Sequence, residues 1–259
     1  EKNLPKLLDW FDRFDRKDTL KVQRDIIRNV VMDPDNNWHQ LVMSLWKDID
    51  PGVRNRIFEN LIINGCLLGY QRQVENKEKY NCNIPWAILL DPTSACNLKC
   101  TGCWAAEYGN HMNLTWEEMD DIVRQGVELG TYVYLFTGGE PLVRKKDIIR
   151  LCEDHPDCVF STFTNGTLID EAFADEMLRV KNFVPAISIE GFEEATDSRR
   201  GNGTYQKIIR AMNILKEKKL PFGISCCYTS ANAAAIGSEA YFDQMAEMRA
   251  KLAWLFTYM

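Results

Sequence analysis

The stretch IPWAILLDPTSACNLKCTGC, residues 84–103, joins an apolar run to three closely spaced cysteines. The apolar run, residues 84–90, is typical of a buried β-strand. Cys96, Cys100 and Cys103 follow it at spacings of four and three residues. Three thiols are one too few for a closed tetrahedral metal site and one too many for a disulfide. We therefore interpret the loop as a metal site that keeps one coordination position open for a substrate or cosubstrate.

From residue 84 onward, short apolar runs alternate with helical segments. This alternation predicts right-handed βαβ units and a parallel sheet whose strands are buried on both faces. The six predicted strands span 84–90, 131–136, 158–163, 183–189, 222–228 and 252–258. The five predicted helices lie near 115–129, 144–154, 168–180, 203–219 and 239–249. Because ligands of parallel α/β folds gather at the carboxyl ends of the strands, the loops after the strands form the predicted functional site.

Residues 1–80 show only helical patterns, so the sequence predicts a small all-α N-terminal region before an α/β region at 81–259. Further helices are predicted in segments 19–33, 36–49 and 52–80. The last predicted strand has no helix after it, and we expect a C-terminal region that is missing here. The predicted first helix, LPKLLDWFDRF, has one apolar face formed by Leu4, Leu7, Leu8, Phe11 and Phe14.

The composition limits the classes of function that fit the chain. The 259 residues are 46% hydrophobic and 26% charged, which predicts a packed globular core. A net charge of −6 argues against a nucleic-acid backbone as the main partner. The sequence has no apolar run long enough to span a membrane, and its N-terminus is too charged for a signal peptide. Nine cysteines, an odd number, favour reduced thiols, and we expect a cytoplasmic protein.

Two of the loops after the predicted strands contain glycine turns. TGGEP, residues 137–141, follows the second strand, and its two glycines would let the backbone approach a ligand closely. Glu140 in this turn is a candidate acceptor for an ammonium group. TNGT, which contains Asn165, follows the third strand. Each turn alone is also typical of ordinary loops, so their weight comes from their position in the predicted sheet.

The segment after the fourth predicted strand carries charged residues. Ser188 and Glu190 in SIEG share one face of the strand, because strand side chains alternate with a period of two. The following DSRRGNGTY supplies Arg199 and Arg200. Since an arginine binds a carboxylate through two parallel hydrogen bonds, this segment is a candidate for holding a charged small molecule.

In this order, the CxxxCxxC loop, GGEP and SIEG…RRG resemble the radical S-adenosylmethionine superfamily, with a core similar to SPASM-like and hopanoid-enzyme-like members. The resemblance covers about residues 84–259. It implies a partial (β/α)6 TIM-like barrel, which agrees with the six strands predicted from the apolar runs. One departure is Gly102, because the residue before the last cluster cysteine is commonly aromatic in the family. Here an aromatic residue, Trp104, follows that cysteine instead.

The resemblance implies two cofactors, a [4Fe–4S] cluster and S-adenosylmethionine. It implies that Cys96, Cys100 and Cys103 bind the cluster, and that its open iron binds the amino and carboxylate groups of S-adenosylmethionine. Within GGEP lies the implied contact to the amino group, while the SIEG and RRG segments would contact the ribose and carboxylate. The implied contacts to S-adenosylmethionine are Gly102, Trp104, Thr137, Gly138, Gly139, Glu140, Pro141, Asn165, Ser188, Glu190 and Arg200.

The resemblance also implies a reaction. The reduced cluster would donate one electron, S-adenosylmethionine would be cleaved, and a 5′-deoxyadenosyl radical would abstract a hydrogen atom from the substrate. The implied partners are an electron donor such as ferredoxin or flavodoxin and a peptide or protein substrate. A lipid or isoprenoid substrate is the alternative. The product, and whether S-adenosylmethionine is consumed or regenerated, stay open.

Two other interpretations compete with this one. The three loop cysteines together with His111 would complete a structural zinc site. Alternatively, the barrel would bind a partner without catalysis. A separate question concerns Cys226 and Cys227, which are neighbours on the fifth predicted strand and therefore face opposite ways. At most one of them faces the barrel interior, either as a hydrogen donor or radical relay or as a buried core thiol.

Overall fold

The computed structural model describes Lys6, Asp9, Asp12 and residues 21–258. The chain divides into two compact units, Glu1–Lys47 and Asp48–Met259. The predicted first helix falls largely outside the described residues. Among the described residues, no helix is both long enough and apolar enough to cross a lipid bilayer.

From residue 21 onward, the first unit contains two helices where the sequence predicts them. Helix α1 spans Lys21–Met32, and α2 spans Asn37–Asp48, so that its last residue belongs to the second unit. The α1 guanidinium of Arg28 pairs with Asp9, with 2.7 Å between Nη1 and Oδ1. This exposed ion pair contributes little to stability, because water and salt screen it.

The second unit begins with one continuous helical run in three parts, which the sequence predicts as a single long helix. Its parts are α3, Pro51–Phe58, then a π-helical segment, Glu59–Gly69, and then α4, Tyr70–Tyr80. The side chain of Asp50 caps the start of α3 by accepting two backbone N–H bonds. Asn60, fully buried in the π-helical segment, donates to the carbonyl oxygens of Pro156 and Cys158. These two bonds attach the helical run to the segment that leads into the third strand.

Six parallel strands form one sheet in their order along the chain. This half-barrel confirms the predicted α/β fold. The first strand begins three residues later than predicted, because Pro85 lacks the N–H that a ladder needs. The strands are β1 Ala87–Leu90, β2 Val133–Phe136, β3 Val159–Thr164, β4 Phe183–Ser188, β5 Gly223–Tyr228 and β6 Ala253–Thr257.

Helices connect successive strands, and the sequence signals at their ends are visible. Thr115 and Glu118 form a reciprocal capping box at the start of the first of them, and Gly130 ends it in a left-handed conformation. The connecting helices are α5 Trp116–Leu129, α6 Lys145–Asp154, α7 Glu171–Val180, α8 Glu193–Arg200, α9 Thr204–Glu217, α10 Ala233–Ile236 and α11 Glu239–Glu247. Two of them, α8 and α10, lie where the sequence pattern predicts loops.

The two faces of the sheet differ in their surroundings. On the outer face, Tyr134, Phe136 and Phe160 are fully buried and stack on one another beneath the connecting helices. On the other face, Phe163 of β3 meets Trp254 and Phe256 of β6 edge to face, at centroid distances of 5.7 and 5.4 Å. Since β3 and β6 are not neighbours, these contacts cross the interior of the half-barrel. The inner face therefore carries an aromatic wall.

Candidate active site

The three cysteines lie in the loop at the carboxyl end of β1, which we call the cysteine loop (residues 96–103). All three are free thiols; Cys96 is exposed, whereas Cys100 and Cys103 are half-buried. The loop contains a tight turn, in which the N–H of Cys103 donates to the carbonyl of Cys100 at 3.3 Å. Burial raises the pKa of the Cys96 and Cys100 thiols, and the nearby Arg200 acts in the opposite direction on the pKa of Cys100.

Backbone hydrogen bonds attach the TGGEP segment to the residues that lead into the cysteine loop. The N–H of Gly139 donates to the carbonyl of Thr93 at 2.9 Å, and that of Glu140 donates to the carbonyl of Ala95 at 2.8 Å. A Cβ at Gly139 would lie 2.3 Å from the Ala95 carbonyl oxygen and 2.5 Å from that of Ser94. The glycine is therefore required by the chain's own backbone, whatever ligand approaches it.

Glu140 connects the TGGEP segment to the end of β3. Its carboxylate is almost fully buried and accepts from the Thr164 hydroxyl at 2.6 Å and from the N–H groups of Asn165 and Leu142 at 2.7 and 3.0 Å. Burial raises the pKa of this carboxyl, while the three hydrogen bonds act to lower it. The Asn165 amide in turn donates to Asn97 Oδ1, inside the cysteine loop, at 2.8 Å. One side of the loop is thus linked to a buried carboxylate through Asn165, whose backbone N–H binds Glu140 and whose side-chain amide binds Asn97.

Glu190 holds the other side of the cysteine loop. Its carboxylate is fully buried and accepts from Arg199 Nη1 at 2.7 Å, from Arg200 and from the backbone N–H of Cys227 at 2.8 Å. Arg200 Nη1 lies 4.0 Å from Cys100 Sγ. Arg199 and Thr101 exchange two hydrogen bonds through Arg199 Nε, at 3.3 Å, and the Thr101 N–H, at 2.8 Å. We call Glu190, Arg199 and Arg200 the arginine clasp.

The remaining predicted site residues lie around this arrangement. Ser188 lies on the inner face of the sheet, in register with Ser225. Gly138 and Gly102 adopt positive φ angles of +104° and +68°, and a Cβ at Gly102 would lie 2.5 Å from Tyr258 Oη. Thr137 donates its backbone N–H to Leu90, and Pro141 is buried at the start of a short 3-10 turn.

Trp104 directly follows the cysteine loop and lines the same cavity as Gly138 and Gly139 of the TGGEP segment. It is 58% exposed, packs edge to face on Tyr108, and lines a cavity of about 470 Å³ together with His111. The described residues contain no group of three or more His, Cys, Asp or Glu side chains arranged around one metal ion. The three loop thiols and His111 therefore do not converge as a tetrahedral zinc site requires.

The register of β5 answers the question about the paired cysteines. Cys227 is paired with Phe256 and therefore shares the inner face with the aromatic wall. Cys226 lies on the outer face, where it is fully buried and its Sγ is 3.0 Å from the hydroxyl of Tyr241 on α11. Burial raises the pKa of Cys226 to about 11. Cys226 is thus a core thiol, and Cys227 is the one that faces the interior.

Some members of this arrangement have no signal in the sequence. Asn97 and Thr101 lie inside the cysteine loop, but their partners are far away along the chain, at Asn165 and Arg199. Arg199 was identified only as a neighbour of Arg200. A long-range bond between side chains leaves no local pattern, so only the three-dimensional structure reveals these contacts.

The sequence pattern of the Radical SAM superfamily matches residues 90–231, more than half of the chain. The Fe-coproporphyrin III synthase of Methanosarcina barkeri (strain Fusaro / DSM 804) is 31% identical over 169 residues, which are 62% of this chain and 41% of that protein. A cysteine-type anaerobic sulfatase-maturating enzyme of Clostridium perfringens (strain 13 / Type A) is 31% identical over 170 residues, 58% of this chain and 46% of the enzyme. The chain spans less than half the length of these two relatives.

Solved structures agree with this match. Native anSMEcpe with bound AdoMet and Kp18Cys peptide superposes with a TM-score of 0.58 at 26% identity, covering 67% of this chain and 51% of that one. Streptococcus suis SuiB bound to S-adenosylmethionine gives 0.63 at 20% identity, covering 74% and 45%, and supports the fold alone. The superfamily uses a [4Fe–4S] cluster and S-adenosylmethionine. The chain therefore belongs to the Radical SAM superfamily, as the order of its cysteine, GGEP and SIEG segments predicts.

Proposed function

We propose that this chain is the radical-generating core of an enzyme that cleaves S-adenosylmethionine and abstracts a hydrogen atom from a peptide or protein. The observation that carries the proposal is the cysteine loop, which lies at the carboxyl ends of parallel strands and is held there by two buried glutamates. Residues 81–259 form the proposed core. The N-terminal helical region predicted at residues 1–80 has no assigned role in this proposal.

The donor set of the cysteine loop fits an iron–sulfur cluster. Each cysteine of a cubane binds a different iron atom, so the three thiols need not converge on one point. Cys96, Cys100 and Cys103 would hold the cluster, and the positive charge of Arg200 near Cys100 Sγ favours the thiolate that iron requires. When bound and reduced, the cluster supplies the electron that cleaves S-adenosylmethionine to methionine and a 5′-deoxyadenosyl radical.

Residues of the inner face would bind the cosubstrate and shield the radical. The backbone of Gly138 and Gly139, Ser188 and Arg200 are the proposed contacts to S-adenosylmethionine. Glu140 and Glu190 are also predicted to contact S-adenosylmethionine. Because their carboxylates already accept hydrogen bonds from groups around the site, they would in addition support cosubstrate binding by fixing the backbone there. The aromatic wall of Phe163, Trp254 and Phe256 lies on the same face, and it would keep water from the part of the site that it covers.

The first experiment tests the chemistry. The protein is reconstituted with iron and sulfide without oxygen, analysed for metal, reduced with dithionite and assayed for 5′-deoxyadenosine. We expect about four iron and four sulfide per chain and formation of 5′-deoxyadenosine. Replacing any loop cysteine with serine should abolish both. The matched controls are Cys66→Ser and Cys82→Ser, since these exposed thiols lie outside the site.

Two outcomes would contradict the proposal. One zinc ion per chain in place of iron and sulfide would support the structural zinc site. A complete iron–sulfur cluster with no 5′-deoxyadenosine under several reductants would support a barrel that only binds a partner. As the physiological electron donor we propose a low-potential protein such as ferredoxin or flavodoxin, and its ability to replace dithionite in the same assay is the check.

The peptide substrate is supported by several of the relatives, although the name of the first one reported above, an Fe-coproporphyrin III synthase, indicates no peptide. One of them matures sulfatases by its name, one is a PqqA peptide cyclase, and a similar solved structure contains the Kp18Cys peptide. The alternative, a lipid or isoprenoid, is favoured by the apolar character of the aromatic wall. Cells of the source organism grown in heavy water supply deuterated peptide and lipid fractions for a direct comparison. Deuterium transferred into 5′-deoxyadenosine only from the peptide fraction would support our proposal, and transfer only from the lipid fraction would refute it.

A further inference from the structure

We infer that the arginine clasp is a positioning unit for the cysteine loop, in which Arg199 fixes the loop backbone and Arg200 sets the charge beside Cys100. The inference rests on the proposed function, because it concerns the cluster that the loop would hold. It extends the roles predicted for Glu190 and Arg200, which concerned only contacts to S-adenosylmethionine.

The centre of the arginine clasp is the carboxylate of Glu190, which needs charged partners to be stable where it lies. Glu190 is fully buried, and a buried carboxylate is strongly destabilising unless charged partners and hydrogen bonds compensate it. Here both oxygens are bonded, Oε1 to the two guanidinium groups and Oε2 to the Cys227 N–H. The guanidinium groups are themselves largely buried, with side-chain exposures of 18% for Arg199 and 12% for Arg200. The clasp thus has one negative and two positive charges in a shielded position.

Within the arginine clasp, Arg199 holds the backbone of the cysteine loop in position. It accepts the N–H of Thr101 with its own carbonyl and donates Nε to the carbonyl of Thr101. Both backbone groups of the residue that follows Cys100 are therefore held by one arginine. Because Nη1 of the same guanidinium is bound to Glu190, this guanidinium connects Thr101 to the segment directly after β4 through two hydrogen bonds.

Arg200 is the electrostatic part. Its Nη1 is 4.0 Å from Cys100 Sγ, and its other donors are bound to Glu190, which fixes the guanidinium in that place. A positive charge at this distance from a cluster sulfur stabilises the reduced, more negative form of a bound cluster. Removing the charge should therefore lower the midpoint potential of the cluster, which makes it harder to reduce.

The test compares variants of the reconstituted full chain with a matched surface control. Arg200→Gln removes the charge near Cys100, and Arg200→Lys keeps it. Arg199→Gln removes the two guanidinium bonds, from Nε to the Thr101 carbonyl and from Nη1 to Glu190, and leaves the backbone bond from the Thr101 N–H in place. The control is Arg179→Gln, because Arg179 also bridges two carboxylates, Glu153 and Glu176, but lies exposed on α7. The readouts are the midpoint potential from a redox titration followed by electron paramagnetic resonance, without S-adenosylmethionine, and the rate of iron loss to a chelator.

We expect Arg200→Gln to titrate at a lower potential than the wild type, with Arg200→Lys restoring most of the difference. We expect Arg199→Gln to lose iron about 10-fold faster, as is typical when a group that orients a metal ligand is removed. Arg179→Gln should match the wild type in both readouts. An unchanged potential in Arg200→Gln, or iron loss in Arg199→Gln no faster than in the control, would overturn the inference.

A folding defect and a missing cluster can both be told apart from a failure of the proposed role of the arginine clasp. If Arg199→Gln does not fold because Glu190 is left buried without enough partners, Glu190→Gln/Arg199→Gln removes the charge together with its partner. This double variant should show the same accelerated iron loss, and iron retention equal to that of the control would overturn the inference. A wild-type chain that binds no iron–sulfur cluster would instead refute the proposed function itself, which is seen before any variant is compared.

Discussion

Replacing Gly139 with alanine tests why the TGGEP segment needs glycine. The added Cβ would lie 2.3 Å from the Ala95 carbonyl oxygen, 2.5 Å from the Ser94 carbonyl oxygen and 2.6 Å from the Ser94 carbonyl carbon. All three atoms belong to the backbone, so no side-chain rotation can relieve the contact. Gly139 does not have a positive φ, and the expected effect is therefore purely steric.

The magnitude follows from the cost of overpacking. Extra carbon atoms in well-packed regions cost typically about 1–3 kcal/mol, and a contact made only with backbone belongs at the upper end. A loss of about 3 kcal/mol lowers the melting temperature of a domain of this size by roughly 6–12 °C. The displaced residues directly precede Cys96, so we also expect the reconstituted variant to contain less iron.

The assay is thermal unfolding followed by circular dichroism, together with iron analysis after reconstitution. The matched control is Gly65→Ala in the π-helical segment, where a Cβ would meet only the Asn60 carbonyl oxygen at 3.4 Å and Val133 Cγ2 at 3.8 Å. This control should melt at or slightly above the wild-type temperature, because alanine favours helical backbone by about 0.5–1 kcal/mol. If Gly139→Ala melted within about 2 °C of the wild type and bound a full complement of iron, the steric argument would be refuted.

Three further predictions concern the packing around the site and the core. Gly102→Ala should cost at least about 1–2 kcal/mol in urea unfolding, because it combines a left-handed backbone with a Cβ that overlaps the Tyr258 hydroxyl. In the double variant Gly102→Ala/Tyr258→Ala, the steric overlap should be gone, while the cost of the left-handed backbone at residue 102 remains. If the losses of unfolding free energy in the two single variants simply added up in the double variant, the contact between residues 102 and 258 would be contradicted. Asn60→Ala should lower stability by about 1–3 kcal/mol, since its amide serves two carbonyl groups at the amino-terminal end of β3, and should leave iron content unchanged. When the thiols of the folded protein are labelled with iodoacetamide at neutral pH, the raised pKa of Cys226 should slow its reaction by about 100-fold relative to an ordinary thiol, beyond the protection from burial. Peptide mapping should show exposed Cys66 labelled first, and equal rates at both positions would show that Cys226 is not a core thiol.

Most strands were predictable because burial on both faces leaves a continuous apolar run, as in FGISCCY. The run LAWLFTY also predicted a strand, but the expectation that it is buried on both faces was wrong, because β6 is the last strand of the sheet and its residues are exposed. Helix α8 was not predictable in the same way. Its sequence, EEATDSRR, has no apolar stripe, and it is helical because Gly201 can end it and because its arginines are held by Glu190. A local sequence pattern thus locates the elements that bury apolar surface, and it misses α8, which is stabilised by charged side chains.

The residues of the site also divide into those that a local sequence pattern locates and those that only the structure reveals. The spacing of the cysteines is local, so the loop could be found from the sequence. The partners of Glu190 and Glu140 could not, because hydrogen bonds between residues distant in the chain depend on how the strands are placed. The sequence predicts that both carboxylates contact S-adenosylmethionine, and that contact stays a prediction. The structure adds that each carboxylate already supports the cysteine loop from one side.

The linear order of the strands has a consequence for how large molecules gain access. In the described part of the chain, β1 and β6 are the outermost strands and do not pair with each other. The sheet is thus a trough with a lengthwise gap, and Leu89 and Trp254 near its two rims are 59% and 47% exposed. A closed tube admits only what can thread its mouth, whereas a trough is loaded from the side. Under the proposed function, a protein substrate would present a single residue to this trough from the side, while the rest of the substrate stays outside.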